Sequence, residues 1–148
     1  MIDTASSQAI TLDGACHCGA VQFTVTLTEG FASARRCTCS ICRMRGAIAV
    51  TSTPADFKLR SGSDKLATYR FNTKTAEHHF CTNCGVYTHH KRRSNPSQLG
   101  VNVACLEGVS PFDFEEVVVY DGQRHPADSK TQTTYRAGVL RFVPASDG

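Results

Sequence analysis

The chain has 148 residues and is 41% apolar, enough for one ordinary domain with one hydrophobic core. Its net charge of +3 is too mild to demand a nucleic-acid partner, though it leaves room for an anionic ligand. The opening Met1-Ile2-Asp3-Thr4-Ala5-Ser6-Ser7 has neither a basic start nor an apolar run, and no stretch approaches about 18 apolar residues, so a cytoplasmic protein without signal peptide or membrane span is expected.

The ordered domain is expected to run from 10 to 143, with flexible tails over 1–9 and 144–148. Asp13-Gly14 is an early turn signal. Residues 20–27, AVQFTVTL, alternate apolar and polar and predict a half-buried strand. A second strand is expected over 31–37, one helical turn over 40–45, and a short apolar strand over 48–50. The segments 57–59 and 66–71 alternate again, and Ser61-Gly62-Ser63-Asp64 between them predicts a hairpin. Residues 76–80 and 86–90 flank Cys81 and Cys84 as another hairpin. Strands over 99–103 and 112–120 follow, the second interrupted by Glu115-Glu116 and ended by Asp121-Gly122. Short strands with Gly, Pro and Ser between them predict an all-β fold with only short helical turns.

Eight cysteines need a cause, and all but one lie in tight clusters. A reducing compartment and such clustering both favour metal over disulfides. Cys81-Thr82-Asn83-Cys84-Gly85 has the form of a zinc knuckle, where glycine takes a left-handed conformation and two thiolates face one ion. Cys16-His17-Cys18 on an extended segment points its two sulfurs to one side and His17 to the other. Seven cysteines divide naturally into four and three. Cys16, Cys18, Cys81 and Cys84 would close a structural four-thiolate zinc site. Cys37, Cys39 and Cys42, in C-x-C-x-x-C, would hold a second zinc with a free fourth position, the pattern of a catalytic site. Spacing alone also allows Cys81 and Cys84 to pair with two of the central cysteines. Cys105, in Val-Ala-Cys-Leu, reads as a buried apolar thiol, with a fourth ligand to the second zinc or a reactive partner near it as the alternative.

G-x-C-x-C-G at Gly14–Gly19, C-x-C-x-x-C at Cys37–Cys42 and F-C-x-x-C-G at Phe80–Gly85 stand in an order and separation that resemble the glutathione-dependent formaldehyde-activating enzymes, the GFA domain family. The resemblance implies a β-tent of small antiparallel sheets. It implies two Zn²⁺ per chain, a structural one on Cys16, Cys18, Cys81 and Cys84 and a catalytic one on Cys37, Cys39 and Cys42. The implied activity is that of a carbon–sulfur lyase joining glutathione to formaldehyde as S-hydroxymethylglutathione, or the reverse.

Arg35, Arg36, Arg43 and Arg45 flank the central cluster. Arg43 and Arg45 are candidates to fork onto a substrate carboxylate, and glutathione offers two. No proton donor is named by the sequence. His78-His79 and His89-His90 lie on the arms of one hairpin, where one of each pair should face outward, and His125 lies in a loop. The alternative function is a non-catalytic zinc-stabilised module for a protein or nucleic-acid partner, for which Lys91-Arg92-Arg93 is the basic run. That run has no interleaved aromatics, so a nucleic-acid stacking platform is not expected.

Overall fold

A computed structural model gives the structure of the chain, with residues 1–131 and 133–146 described; Asp147 and Gly148 of the expected C-terminal tail lie outside the described residues. Three strands form a first antiparallel sheet: β1 (Ile10–Ala15), β2 (Gln22–Leu27) and β5 (Phe57–Ser61), in the order β1-β2-β5. The second sheet contains β3 (Arg35–Cys37), β4 (Ala49–Ser52), β6 (Leu66–Tyr69), β7 (Glu77–Cys81), β8 (Tyr87–Lys91), β9 (Leu99–Asn102), β10 (Glu116–Tyr120) and β11 (Arg136–Arg141). Its order is β11-β10-β3-β4-β9-β8-β7-β6. The fold is all-β, as expected, with one helix, α1 (Ser40–Arg45), among the described residues. Every pairing is antiparallel except β10 with β3, which run parallel through Val118–Arg35, Val119–Arg36 and Tyr120–Cys37. No helix among the described residues is long and apolar enough to cross a membrane.

The alternation in β2 sets the core. Phe23, Val25 and Leu27 are wholly buried, while Gln22 is exposed and Thr24 and Thr26 are half-buried. Val50, Val101 and Val117 of the other sheet, with Phe114 from the segment before β10, pack into the same cluster. Each such side chain contributes about 1.5–3 kcal/mol by leaving water. Phe31 joins this core edge-on to Phe114, with ring centroids 5.9 Å apart. It does so from a 3-10 turn at Gly30–Ser33, which is why the expected strand over 31–37 shortens to Arg35–Cys37.

The expected hairpin between 57–59 and 66–71 does not form. β5 instead pairs with β2, and β6 pairs with β7 in the other sheet. The reason is Phe57, whose ring stacks on Phe23 at 4.6 Å and on His89 at 4.0 Å and so ties β5 to the inter-sheet core. Strand β11 has no counterpart in the sequence reading. All six of its residues are exposed, and Gly138 breaks any alternation.

The hairpin β7–β8 forms as expected and brings four histidines into cross-strand register, His78 with His90 and His79 with His89. The pairs point to opposite faces, but neither face is open water. His78 and His90 stack at 5.2 Å on one side, and His79 and His89 at 4.5 Å on the other. Burial pushes His78 down to about 4 and His89 down to about 3. A depressed imidazole pKa means that the unfolded chain binds protons first. Stability is therefore full above pH 6.5 and is lost as pH falls from there toward about 3, at about 1.4 kcal/mol for each unit of depression. Urea titrations across that range should show a shallower pH dependence for His89→Phe than for the native protein. Equal slopes would remove His89 as a cause.

Candidate functional site

Cys16 and Cys18 leave the end of β1, and Cys81 and Cys84 bracket the β7–β8 turn. Their four sulfurs lie within 4.8 Å of one another. Cys16 Sγ is 3.6 Å from Cys18 Sγ, which is 3.7 Å from Cys81 Sγ. Four thiolates at zinc–sulfur distances in a tetrahedron would stand about 3.8 Å apart, so this donor set fits one such ion. Gly19 and Gly85 have φ of +79° and +77°, the left-handed turn that each knuckle needs. Backbone N–H groups of Val21 and Asn83 donate to Cys16 Sγ and Cys81 Sγ, each at 3.3 Å. His17 is exposed, but Cys16-His17-Cys18 is not the expected extended segment: β1 ends at Ala15, and His17 and Cys18 lie in a turn that Gly19 N–H closes onto the Cys16 carbonyl at 3.1 Å.

Cys37, Cys39 and Cys42 form the second group, with their sulfurs also within 4.8 Å of one another. Among the described residues this group has three members. Cys37 ends β3, Cys39 caps the N-terminus of α1, and Cys42 lies one turn into it. Hydrogen bonds with Cys37 and Cys42 pull the Cys39 thiol far down, whereas Cys42 is pushed up by its contacts with Cys37 and Cys39. Such a cluster gives up one proton readily, and a soft cation would displace the others.

The loop after β10 clasps this cluster. Gly122 N–H donates to Thr38 Oγ1 at 2.9 Å, Gln123 Nε2 donates to the Thr38 carbonyl at 2.8 Å, and Thr38 N–H donates to the Tyr120 carbonyl at 3.0 Å. Gly122 packs so closely that a Cβ there would stand 2.6 Å from Cys37 Sγ. No larger residue fits without displacing the thiols.

The trio lies in a cleft of about 370 Å³ that Arg35, Arg36, Arg43, Arg45, Arg92 and Arg93 also line. Asp121 and Asp128, on the same walls, are each paired with an arginine, Arg124 and Arg93. Three buried side-chain nitrogens have no partner among the described residues: Arg45 Nε, His78 Nε2 and Arg92 Nη2. All three residues line this cleft. Arg92 is 4% exposed and makes no ion pair with a carboxylate among the described residues; it donates to Thr51 Oγ1 at 2.8 Å and to Gln98 Oε1 at 3.3 Å. Burial, with the charge of Arg35, pushes its guanidinium down to about 9, so it stays cationic at neutral pH. A buried cation without an anion is unfavourable, and an anionic ligand would relieve it.

A sequence model of the family described as glutathione-dependent formaldehyde-activating enzyme matches residues 11–119. The chain belongs to the GFA family. A Halomonas elongata protein, provisionally named a glutathione-dependent formaldehyde-activating enzyme, is 37% identical over 81 residues. That match covers 49% of this chain and 51% of the relative, so the chain spans about half the length of the curated relative. A Rhodobacter sphaeroides protein of known crystal structure is 57% identical, with a TM-score of 0.70, over 72% of this chain and 97% of that one.

The structure brings together both cysteine groups that the spacing divides, and it leaves Cys105 out of them. Cys105 is buried, its thiol faces the Tyr87 carbonyl at 3.5 Å, and burial pushes it up to about 12. Arg43 stands exposed on the cleft wall. Arg45 is turned inward, with its guanidinium 3.6 Å over the Tyr87 ring, 3.0 Å from His78 Nδ1 and 3.5 Å from Cys42 Sγ. The basic run is engaged within the fold: Lys91 pairs with Glu77, Arg92 is buried, and Arg93 pairs with Asp128. The sequence reading places Arg92 only in a basic run for a macromolecular partner and does not single out Thr38 or Gln123. Their partners lie far along the chain, and only the Asp121-Gly122 turn hinted at the clasp.

Proposed function

We propose that this protein is a zinc-dependent carbon–sulfur lyase of the GFA type, combining glutathione with formaldehyde or cleaving the adduct. The observation that carries the reading is a trio of converging thiols, with three members among the described residues, inside an arginine-lined cleft. Cys16, Cys18, Cys81 and Cys84 would hold a structural zinc, and Cys37, Cys39 and Cys42 the catalytic one. Held by three thiolates, a zinc ion would supply one free position that keeps a substrate thiol as thiolate at neutral pH.

The chain's own residues do the rest. Arg92, buried and without a counterion among the described residues, is placed to take a glutathione carboxylate, and Arg35 and Arg43 widen the basic wall around it. Arg45 is held by Tyr87, His78 and Cys42, so its task is to support the cleft from behind rather than to clamp substrate. The clasp from Gly122 and Gln123 onto Thr38 fixes the loop that carries the trio.

X-ray absorption of the zinc-loaded protein tests the reading. Adding glutathione should raise the mean sulfur count around zinc from about 3.5 to about 4. An unchanged count in a two-zinc protein would sink the thiol-binding role and leave a stapled binding module.

A further inference from the structure

One donor in the cleft has its chemistry fixed by its neighbour. Arg45 Nη1 lies 3.0 Å from His78 Nδ1. A guanidinium has only N–H groups to offer, so Nδ1 must accept. A neutral imidazole carries one proton, which then belongs to Nε2. Burial, reinforced by the Arg45 charge, keeps the ring neutral at physiological pH. His78 Nε2–H is thus a buried donor without a partner among the described residues, on a residue that lines the cleft with the cysteine trio. The ring is also held in place. It stacks between Phe71 at 5.8 Å and His90 at 5.2 Å. Arg45 is itself pinned on the Tyr87 face, and its other Nη reaches Cys42 Sγ at 3.5 Å, so one guanidinium bridges the trio and the imidazole.

We propose that His78 Nε2–H receives the carbonyl oxygen of the aldehyde, with Arg45 as the positioning residue that fixes the tautomer. The inference rests on the thiol–aldehyde reading above. In the forward step the thiolate sulfur attacks the carbonyl carbon. The carbon–sulfur bond forms and the carbonyl π pair moves to oxygen. His78 stabilises that oxyanion through its hydrogen bond and keeps its own proton; the alkoxide takes its proton from water. In reverse, the hydroxyl loses its proton to water, the carbon–sulfur bond breaks, and the same N–H holds the oxygen as the carbonyl reforms. A preorganised neutral donor of this kind costs no reorganisation during the reaction.

The test uses zinc-loaded protein and exchange NMR of formaldehyde with glutathione, read above the uncatalysed rate. His78→Phe should lower kcat about 10²–10³-fold and leave the KM for glutathione within about threefold. His78→Gln, whose amide N–H reaches the same region, should recover at least about tenfold of that loss. Nitrogen-15 spectra of the ring should show the Nε2–H tautomer in the native protein and a mixture in Arg45→Met, a readout independent of turnover. A native Nδ1–H tautomer, a Gln variant no better than Phe, or kcat and KM moving together would overturn the assignment. If His78→Phe loses metal, the Gln variant and the tautomer spectrum decide alone. Native catalysis untouched by His78→Phe would overturn this proposal only; no native catalysis would overturn the thiol–aldehyde reading with it.

Discussion

Cys81→Ser is expected to leave the chain unfolded at neutral pH, with at least one metal ion lost. Cys81 is wholly buried and forms a small separate cluster with Cys16 and Val21. That cluster joins the end of β1 to the β7–β8 turn, linking Cys18 to Cys81 across a sequence separation of 63. Few apolar contacts replace it, because the main core lies along β2, β4 and β9. A structural zinc on four thiolates is worth about 10–16 kcal/mol of folding free energy at neutral pH. A domain of this size has a total of about 5–15 kcal/mol. Removing one of the four donors therefore removes more than the fold can spare. Circular dichroism and metal analysis of the variant, beside native protein treated with a chelator, should give the same loss of structure. A Cys81→Ser protein that melts like the native one and still carries two metals would refute the staple.

What could be read from the sequence follows the range of each interaction. Alternation is local, so β2, the β7–β8 hairpin and β9 were legible from their own residues. Sheet membership is not local. Phe57-Lys58-Leu59 carries the pattern of a strand, but only Phe23, 34 residues earlier, and His89, 32 residues later, decide which sheet it joins. β11 had no pattern to read, since its six residues are all exposed and its pairing with β10 rests on the backbone ladder and one surface ion pair, Arg141 with Glu116.

The candidate site divides in the same way. Cysteine spacing is a local signal with a strong geometric meaning, so both groups were legible. The cleft is made by contacts between distant positions: Arg45 with His78, Arg92 with Thr51, and Gln123 with Thr38, separated by 33, 41 and 85 residues. Sequence makes Arg45 a candidate substrate clamp because it flanks the cysteine cluster; it does not show that the side chain turns toward Tyr87, where the ring face and an imidazole acceptor offer more than solvent does. Alternation predicts one outward histidine in each pair; the pairs do point to opposite faces, but neither face is open, because Phe57 covers one and Phe71 the other.

Cys39→Ser should separate chemistry from folding, abolishing glutathione-dependent loss of formaldehyde above the uncatalysed rate while the fold survives. Cys39 touches both other sulfurs of the trio, and its own carbonyl starts α1 by accepting from Arg43 N–H at 3.0 Å. The backbone bond persists with serine, which is also a favoured residue at a helix N-cap. The helix itself has no buried residue, so the core does not depend on it. Two thiolates and a hydroxyl make a far poorer zinc site than three thiolates, because the hard oxygen ionises less readily than sulfur. Metal content should fall from about two ions per chain to about one, with the melting temperature lowered by only a few degrees. Cys105→Ser is the control: its thiol is buried away from both groups, and a hydroxyl there can still donate to the Tyr87 carbonyl. It should keep both metals and its activity. If Cys39→Ser keeps full turnover, or if Cys105→Ser loses it, the reacting sulfur does not sit at the trio, and the arginine-lined cleft must serve another ligand.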